Sequence, residues 1–448
     1  MPDVELIVAG GTVVTPSGRV RADIAVDGGI IRSIDARGLT ASRAVDASGL
    51  LVMPGGVDTH VHLMDPGSTD REDFPTGTAA AAAAGVTTII EHSHGTPVRT
   101  VEDLAEKREY LKGRSQIDYA LAAHAWPGIT DVDALWNAGV AFFKVFTCTT
   151  HGVPGHTAAA LKDHLDATVR AGAVSLIHCE DESLTESAEQ LLKSQGRTDA
   201  GLLPEWRSLT AELVAVAQAS LLVRRSGARA TVAHVSNKEA ASYIAAERIR
   251  GAQIAAEACP QYFLLRESEV HDHGTLRKFT PPARARIEAD EIEMWRLLRE
   301  GVLTHMSSDH APSTLAQKDG EMWDVHFGLP GIDSTMSILL DAASRGHLSY
   351  EDITRVYSEA PAKQYGLWPR KGRLAVGADA DLILVDPTAT RTLRNEDVIS
   401  KAGWTPFAGR TVTGRVLETF SRGVTVARDG VPVQAGEGRF VAGAGAKG

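Results

Sequence analysis

The sequence is poor in several features that mark particular classes of protein. Only three cysteines occur among its 448 residues, Cys148, Cys179 and Cys259, too few for a disulfide framework. Its longest alanine tract, 79–84, is too short to span a bilayer, which takes about 18 apolar residues or more. The N-terminal MPDVELIVAGG lacks the basic patch and long apolar stretch of a signal peptide. These absences predict a soluble, cytoplasmic protein that does not bind membranes.

An excess of positive charge is also absent. The formal net charge is −11 at pH 7, which argues against binding to nucleic acid or to an anionic membrane surface. Apolar residues make up 43% and charged residues 23% of the chain, which is ordinary for a soluble globular enzyme. Neither a nucleic-acid nor a membrane partner is therefore expected.

Two kinds of pattern divide the chain. The first fifty residues alternate apolar and polar side chains between glycine-rich turns, with a hairpin turn predicted at Asp27-Gly28-Gly29. A similar pattern returns after residue 370 in GRLAVGADADLILVD. Between these regions, strand-like runs alternate with helical stretches rich in alanine, leucine and glutamate. That alternation predicts βα units and a parallel sheet, so the fold class is α/β.

The central region has enough strands for a (β/α)₈ TIM barrel. The predicted strands lie near residues 51–57, 86–91, 118–124, 140–146, 173–178, 229–234, 252–257 and 301–308. The two flanking β segments are expected to pair into a small composite β-sandwich domain from both termini. The predicted division is a sandwich at 1–52 and 368–440, a barrel at 53–367 and a flexible tail at 441–448.

Residues that can bind metal ions stand at the ends of several predicted barrel strands. His60 and His62 lie two residues apart and so share one face of an extended segment. The other strand ends carry Lys144, His178, His234 and Asp309. A single strand histidine is more often a hydrogen-bonded core residue, but catalytic groups of a barrel project together from the C-terminal strand ends. Four imidazoles and a carboxylate at one place predict a two-metal hydrolytic centre.

Lys144 needs a separate explanation, because an ammonium group cannot bind a metal ion. A lysine at a strand end ordinarily extends to solvent or pairs with an acid. Two divalent ions would depress the pKa of Lys144, and the neutral amine could then add CO₂. The resulting carbamate has two oxygens that could bridge the ions. Chemistry alone leaves both interpretations open.

Longer segments resemble a known family. GVDTHVHLMDPG, FFKVF, IHCED, VAHVS, EACPQY, KFTPPAR, SSDHAP and GLPGID occur in the order found in the cyclic amidohydrolases. This family includes hydantoinases, dihydropyrimidinases, allantoinases and dihydroorotases. The resemblance covers nearly the whole chain and implies a barrel with a composite β domain. It also implies a homo-oligomer, either a dimer or a tetramer.

The resemblance implies a ligand set and a reaction. His60, His62 and Asp309 would bind one divalent ion, expected to be zinc, and His178 and His234 the other, with a carboxylated Lys144 bridging the two. The ions would share a water, lower its pKa from ~15.7 to about 7 and polarise the substrate carbonyl. Asp309 would act as general base, taking the proton of the bridging hydroxide and returning it to the departing ring nitrogen. Asp309 could instead be a ligand only.

The substrate-contact positions fit no single member of the family. Dihydroorotases carry a segment similar to HLREPG, whose arginine holds the substrate carboxylate. In this chain Met64 stands at the position of that arginine. Hydantoinases tend to carry a tyrosine five residues after the bridging lysine, where this chain has Thr149. Aligning the motifs suggests six candidate substrate contacts: Met64, His94, Thr149, His151, Thr280 and Phe327.

The leading hypothesis is a hydrolase that opens a C–N bond of a hydantoin-, dihydropyrimidine- or allantoin-like cyclic amide or ureide. A dihydroorotase is disfavoured, because the thioether of Met64 cannot bind a carboxylate bidentately as arginine does. A two-metal lactonase or phosphotriesterase-like hydrolase is a further alternative. A non-catalytic scaffold is another, although the complete ligand set argues against it.

Overall fold

A computed structural model describes residues 2–433 and 438–447. The strands are β1 (Val4–Ala9), β2 (Thr12–Thr15), β3 (Gly18–Arg21), β4 (Ile24–Asp27), β5 (Ile30–Ile34), β6 (Ala41–Asp46), β7 (Leu51–Pro54), β8 (Gly56–Val61), β9 (Val86–Glu91), β10 (Asp118–Leu121), β11 (Ala123–His124), β12 (Phe143–Phe146), β13 (Val174–His178), β14 (Arg229–Val232), β15 (Gln253–Ala258), β16 (His305–Met306), β17 (Leu382–Thr392), β18 (Thr411–Ser421), β19 (Val424–Arg428) and β20 (Val431–Pro432).

The α-helices are α1 (Phe74–Ala83), α2 (Val101–Tyr110), α3 (Val132–Ala138), α4 (Ala158–Ala171), α5 (Glu182–Ser194), α6 (Leu202–Trp206), α7 (Leu209–Ser226), α8 (Lys238–Ile249), α9 (Gln261–Leu264), α10 (Glu269–His273), α11 (Glu288–Arg299), α12 (Leu315–Lys318), α13 (Thr335–Ser344), α14 (Tyr350–Thr354) and α15 (Ala360–Gln364). A π-helical turn, Arg355–Glu359, joins α14 to α15. Within the described ranges, no helix is long and apolar enough to cross a membrane.

Parallel strands close into the predicted (β/α)₈ barrel. β8, β9 and β10 pair in one run and β11 to β16 in another. β10 and β11 are two parts of one barrel strand, separated only by Ala122. The barrel closes where the segment after β16 lies beside β8. There the His62 amide donates to the His310 carbonyl at 2.8 Å, and the His310 amide donates to the His60 carbonyl at 3.2 Å.

The helices outside the barrel begin and end at residues suited to those positions. The side chain of Thr157, ahead of α4, accepts a hydrogen bond from the Ala160 amide, and α4 ends at Gly172 with φ 71°. Thr100 and Asp103 form a reciprocal capping box at the start of α2. Such caps satisfy the free amides of a first turn, and a left-handed glycine ends the last turn.

Both ends of the chain build the β-sandwich, as predicted. One sheet has the order β5-β4-β1-β6, and the other has the order β20-β19-β18-β17-β7-β2-β3. The predicted hairpin turn joins β4 to β5 through Gly28 and Gly29, with φ of 58° and 75°. A two-residue turn of this kind needs positive φ at both positions, which glycine adopts without strain. Val13, Leu382 and Phe420 lie in the core between the two sheets.

The first predicted barrel strand, 51–57, proves to be parts of two strands. β7 pairs with β17 in the sandwich, and β8 enters the barrel. Gly55 lies between them, and a side chain there would collide with Thr87. The apolar run through both strands is continuous, so it carries no local signal of the change of sheet.

The described part of the predicted flexible tail, 441–447, packs against the barrel. The Val441 amide donates to the Tyr119 carbonyl at 2.7 Å, and the Gly443 amide donates to the Gly139 carbonyl at 2.9 Å. A side chain at Gly443 would collide with the Val140 carbonyl. The small residues therefore allow a close approach of the two backbones. Residue 448 lies outside the described residues, and the other domain boundaries stay predictions.

A buried ion network joins the barrel to the sandwich. Lys371 Nζ lies 2.5 Å from Asp118, 2.8 Å from Asp379 and 2.7 Å from Asp381. Asp118 also pairs with Arg422. The three carboxylates are close enough together to hold a cation, and the ammonium of Lys371 already lies among them.

Replacing Lys371 with methionine should destabilise the protein by about 3–5 kcal/mol, because it leaves three buried carboxylates without their shared cation. Urea unfolding of the variant and the wild type measures this loss. Lys363→Met is the matched control, since Lys363 forms a half-exposed pair with Glu359 whose loss should cost only about 0–1 kcal/mol. Equal stability of the two variants would contradict a structural role for the network.

Candidate metal centre

The structure brings the six predicted ligands together at one end of the barrel. Each side chain comes from the C-terminal end of a strand or from the residues directly after it. His60 lies in β8, Lys144 in β12 and His178 at the end of β13. His62, His234 and Asp309 follow β8, β14 and β16 by one, two and three residues. All are buried except Asp309, whose side chain is 13% exposed. Because parallel strands end at the same edge of the barrel, residues spread over 250 positions of sequence lie together there.

The donor atoms form two adjacent groups. His60 Nε2 lies 3.3 Å from Asp309 Oδ1 and 3.3 Å from Lys144 Nζ, and His62 Nε2 lies 3.8 Å from Asp309 Oδ1. In the second group, His178 Nδ1 faces His234 Nε2 at 2.9 Å. Zinc binds nitrogen at about 2.0–2.1 Å, so the ligands of one tetrahedral ion stand roughly 3.3 Å apart. The observed spacings are therefore close to those that a metal ion requires.

Hydrogen bonds on the far side of the first two imidazoles orient them. His60 Nδ1 donates to Glu257 Oε1 at 2.6 Å, and His62 Nδ1 donates to the His92 carbonyl at 2.9 Å. Because these nitrogens carry the protons, the Nε2 lone pairs face the centre. Histidines that bind metal ions ordinarily have such a partner. The direction of these lone pairs suits a divalent ion, and this observation does not depend on the sequence motifs.

A second carboxylate, that of Glu180, orients the imidazole of His178 by a hydrogen bond. Its Oε2 accepts from His178 Nε2 at 2.7 Å and from Thr280 Oγ1 at 2.6 Å, and Arg207 Nη1 lies 3.3 Å away. Neither Glu257 nor Glu180 was among the residues predicted from the sequence. Glu180 stands two residues after His178 in IHCED, and this nearness to a strand-end ligand is the signal that could have identified it. Glu257 stands in EACPQY, which carries no proposed ligand, so the sequence gives no such signal for it.

Burial shapes the protonation of the site. It lowers the pKa of Lys144 to about 8 and raises the pKa of Asp309 to about 7. Burial also lowers the pKa of the four ligand histidines, His60, His62, His178 and His234. Desolvation disfavours every charged form. The imidazoles are therefore neutral at pH 7 and keep a lone pair available for a metal ion.

The segment that carries Asp309 is held in an uncommon backbone conformation. Asp309 has φ 49°, a left-handed value that few non-glycine residues adopt. Asp58 supports this segment: its Oδ1 accepts the Ser308 amide at 3.0 Å and the His60 amide at 3.3 Å, and Tyr357 donates to its Oδ2 at 2.9 Å. The strand of His60 and the loop of Asp309 are thereby tied together.

A cavity of about 20 Å³ opens onto the donor atoms, which is room for about one water molecule. Four of the six predicted substrate contacts line it: His94, His151, Thr280 and Phe327. The rings of His94 and His151 stack at 4.3 Å with an angle of 6° between their planes. The rings of His151 and Phe327 form a T-shaped pair with 5.9 Å between their centroids.

The other two predicted contacts, Met64 and Thr149, are not among the described residues that line this cavity. Met64 is buried, and its amide donates to Ser93 Oγ at 2.7 Å. Thr149 is exposed, because the hairpin turn at His151-Gly152, with φ of 53° and 75°, brings His151 to the cavity instead. Counting residues from Lys144 could not reveal this turn.

Comparisons with known proteins agree with this architecture. The sequence model described as "Amidohydrolase family" matches residues 51–426. An allantoinase of Rubrobacter xylanophilus is 35% identical over 448 residues, which cover 98% of this chain and 97% of the relative. The solved structure of an L-hydantoinase (dihydropyrimidinase) from Arthrobacter aurescens superposes with a TM-score of 0.93 at 30% identity, covering 98% of this chain and 100% of that chain. For a dihydropyrimidinase from Brevibacillus agri the TM-score is 0.91 at 29% identity, with 99% of each chain covered.

Proposed function

Because this chain belongs to the amidohydrolase family and is a hydrolase that acts on cyclic amides, we propose that it opens a C–N bond of an uncharged cyclic amide or ureide. Hydantoins, dihydropyrimidines and allantoin are the substrate class. The convergence of six donor residues at one end of the barrel carries the proposal. The non-catalytic and phosphotriesterase-like alternatives are set aside, since the relatives are enzymes of cyclic amides.

The proposed centre holds two divalent ions, and its imidazole-rich donor set favours zinc. One ion would be held by His60, His62 and Asp309, the other by His178 and His234, and both by Lys144 as a carbamate. When bound, such ions supply Lewis acidity and lower the pKa of water. These residues suit metal ions because the lone pairs of their imidazoles face the centre. Hydrogen bonds from the outer ring nitrogens to Glu257, Glu180 and the His92 carbonyl hold the imidazoles in this orientation.

Lys144 is suited to the carbamate role because it is buried and because no carboxylate lies within 4.0 Å of its ammonium in the described residues. Its Nζ instead lies 3.3 Å from His60 Nε2. Burial lowers its pKa to about 8, so a substantial fraction of the amine is neutral near that pH and able to attack CO₂. The C–N bond that forms releases a proton and leaves an anion beside the histidines.

Asp309 is proposed to move the proton of the reaction. Its Oδ1 faces His60 and His62, and its Oδ2 accepts a hydrogen bond from Gln261 at 3.3 Å. Burial raises the pKa of Asp309 to about 7, and a carboxylate beside the reacting bond can accept a proton and give it back. The proton goes to the ring nitrogen, which would otherwise depart as a strongly basic amide anion.

The lining residues are proposed to contact the substrate ring. The imidazoles of His94 and His151 each offer one donor and one acceptor, which suits the N–H and C=O groups of a cyclic ureide. Phe327 offers an apolar face, and Thr280 is tied to Glu180. The cavity is small, at about 20 Å³, and we propose that a lining side chain moves when a five-membered ring binds. The dimer or tetramer implied by the resemblance stays a prediction.

The substrate class is tested by a panel of ring-opening assays with hydantoin, dihydrouracil, allantoin, a cyclic imide and dihydroorotate. We expect kcat/KM for dihydroorotate to lie roughly thirty- to several-thousand-fold below the value for the best uncharged ring. Burying its carboxylate without a bidentate charged partner should cost about 2–5 kcal/mol. Apart from the proposed metal ligands, the described residues that line the cavity carry no charged side chain.

Two outcomes of the panel would count against the proposal. If the metal-loaded protein opens none of these rings, the proposed function fails. If dihydroorotate is the best substrate, the assignment of an uncharged substrate is wrong. Met64→Arg should then not improve its turnover, since another cation would already be in place.

A further inference from the structure

A fifth histidine lies beside the proposed ligands without any hydrogen-bonding partner. His92 directly follows β9 and is 1% exposed. Neither its Nδ1 nor its Nε2 has a hydrogen-bonding partner in the part of the chain that the structure describes. Buried polar atoms of native proteins nearly always have a partner, so an orphaned one needs an explanation, and a bound ion is one of those that apply.

The rings around His92 do not supply that partner. They are His60 at 4.6 Å, His62 at 4.5 Å, Phe142 at 5.3 Å and His124 at 6.2 Å between ring centroids. The His92 carbonyl, by contrast, accepts from both His62 Nδ1 at 2.9 Å and His124 Nε2 at 3.1 Å. The backbone of the residue is therefore anchored, while its imidazole is buried among other rings.

The position of His92 is that of a ligand. It stands at the C-terminal end of a barrel strand, as the other proposed ligands do. One nitrogen each of His60, His62 and His92 lie within 4.8 Å of one another, and all three residues are buried. Three neutral imidazoles are a donor set that zinc and cobalt accept.

We propose that His92 is a further ligand of the metal ion held by His60 and His62. The proposal rests on the two-metal centre proposed above. His92 would then act twice, because its carbonyl orients the ring of His62 and its own ring supplies another nitrogen. The burial of an otherwise unpaired imidazole is thereby explained.

The test is a Co²⁺ titration of the metal-free protein, followed by visible absorption and by competition with a chelator. In His92→Phe the ring is kept for packing against Phe142, and the nitrogens are removed. We expect the affinity for one of the two ions to fall at least 10–100-fold, the range already seen when only an outer partner of a ligand is lost. The Co²⁺ absorption bands of that ion should change as well, because the number of its ligands changes.

The matched control is His124→Phe. His124 is also buried, also has an unpartnered nitrogen and also contacts His92, but it does not belong to the group of three. The His124→Phe variant should therefore have the same Co²⁺ affinity and the same absorption spectrum as the wild type. A fall of the same size in both variants would assign the effect to packing and overturn the proposal.

Unchanged affinity and spectrum in His92→Phe would also overturn it, and so would three ions bound per wild-type chain, since that would make His92 part of a separate site. If His92→Phe does not fold, X-ray absorption of the Co²⁺-loaded wild type decides the question. Five imidazoles shared between two ions support the proposal, and four contradict it. These measurements need no turnover, so they are independent of the outcome of the substrate panel.

Discussion

Replacing Lys144 with alanine should abolish ring opening and release metal from the protein. In the proposed centre Lys144 bridges the two histidine groups as a carbamate, and alanine cannot form a carbamate. Metal content by elemental analysis and kcat on the best substrate measure the two losses. Short carboxylic acids such as acetate should restore part of the activity, because their two oxygens can take the place of the carbamate.

The matched control for this variant is Lys107→Ala. Lys107 is also a buried lysine, but its ammonium pairs with Glu91 at 2.6 Å and is not one of the proposed metal ligands, so its loss should leave the metal in place. The carbamate itself is visible in wild-type protein as a ¹³C NMR signal after exposure to ¹³CO₂. Two ions and wild-type activity in Lys144→Ala would contradict the bridging role.

Asp309→Asn should lower kcat by ~10²–10⁴-fold and keep at least part of the metal. The amide has nearly the shape of the carboxylate and can still accept a hydrogen bond, but it cannot take up the proton that the leaving nitrogen needs. Steady-state kinetics combined with elemental analysis separates this effect from loss of metal.

A buried aspartate outside the centre provides the control for Asp309→Asn. Asp333 accepts the Ile399 amide at 2.9 Å and contacts none of the proposed ligands, so Asp333→Asn should keep kcat near the wild-type value. Turnover of Asp309→Asn within a few-fold of wild type would show that Asp309 is a ligand only, the alternative that the sequence leaves open.

The ligand residues could be chosen from the sequence because each depends on a local pattern. His60 and His62 share a face by the two-residue period of a strand, and His178 ends an apolar run that is recognisable as a strand. Parallel barrel strands all end at the same edge. A residue's place at the end of its own strand was therefore enough to predict that residues 250 positions apart lie together. The family resemblance added the expectation that Lys144 belongs to the set.

The partners that orient these ligands could not be predicted in the same way. Glu257 and His60 are 197 positions apart, and the pairing depends on side-chain directions across the barrel interior, which no periodicity reports. His92 lies in TTIIEHSHG beside the end of a strand, where the sequence alone does not separate a core histidine from a ligand. Only its packing against His60 and His62, with both nitrogens unpaired, separates the two.

The sequence by itself determined the α/β class, the barrel, the sandwich built from both ends and the residues at the strand ends, because hydrophobic periodicity is a local property of the chain. The tertiary structure alone decided that Leu51–Pro54 belongs to the sandwich, that His151 rather than Thr149 reaches the cavity, and that the tail from Val441 packs on the barrel. Each of these depends on a change of direction or a close approach between distant segments. Such contacts are set by backbone turns with positive φ and by glycine positions without side chains, whose effects are visible only after the chain has folded.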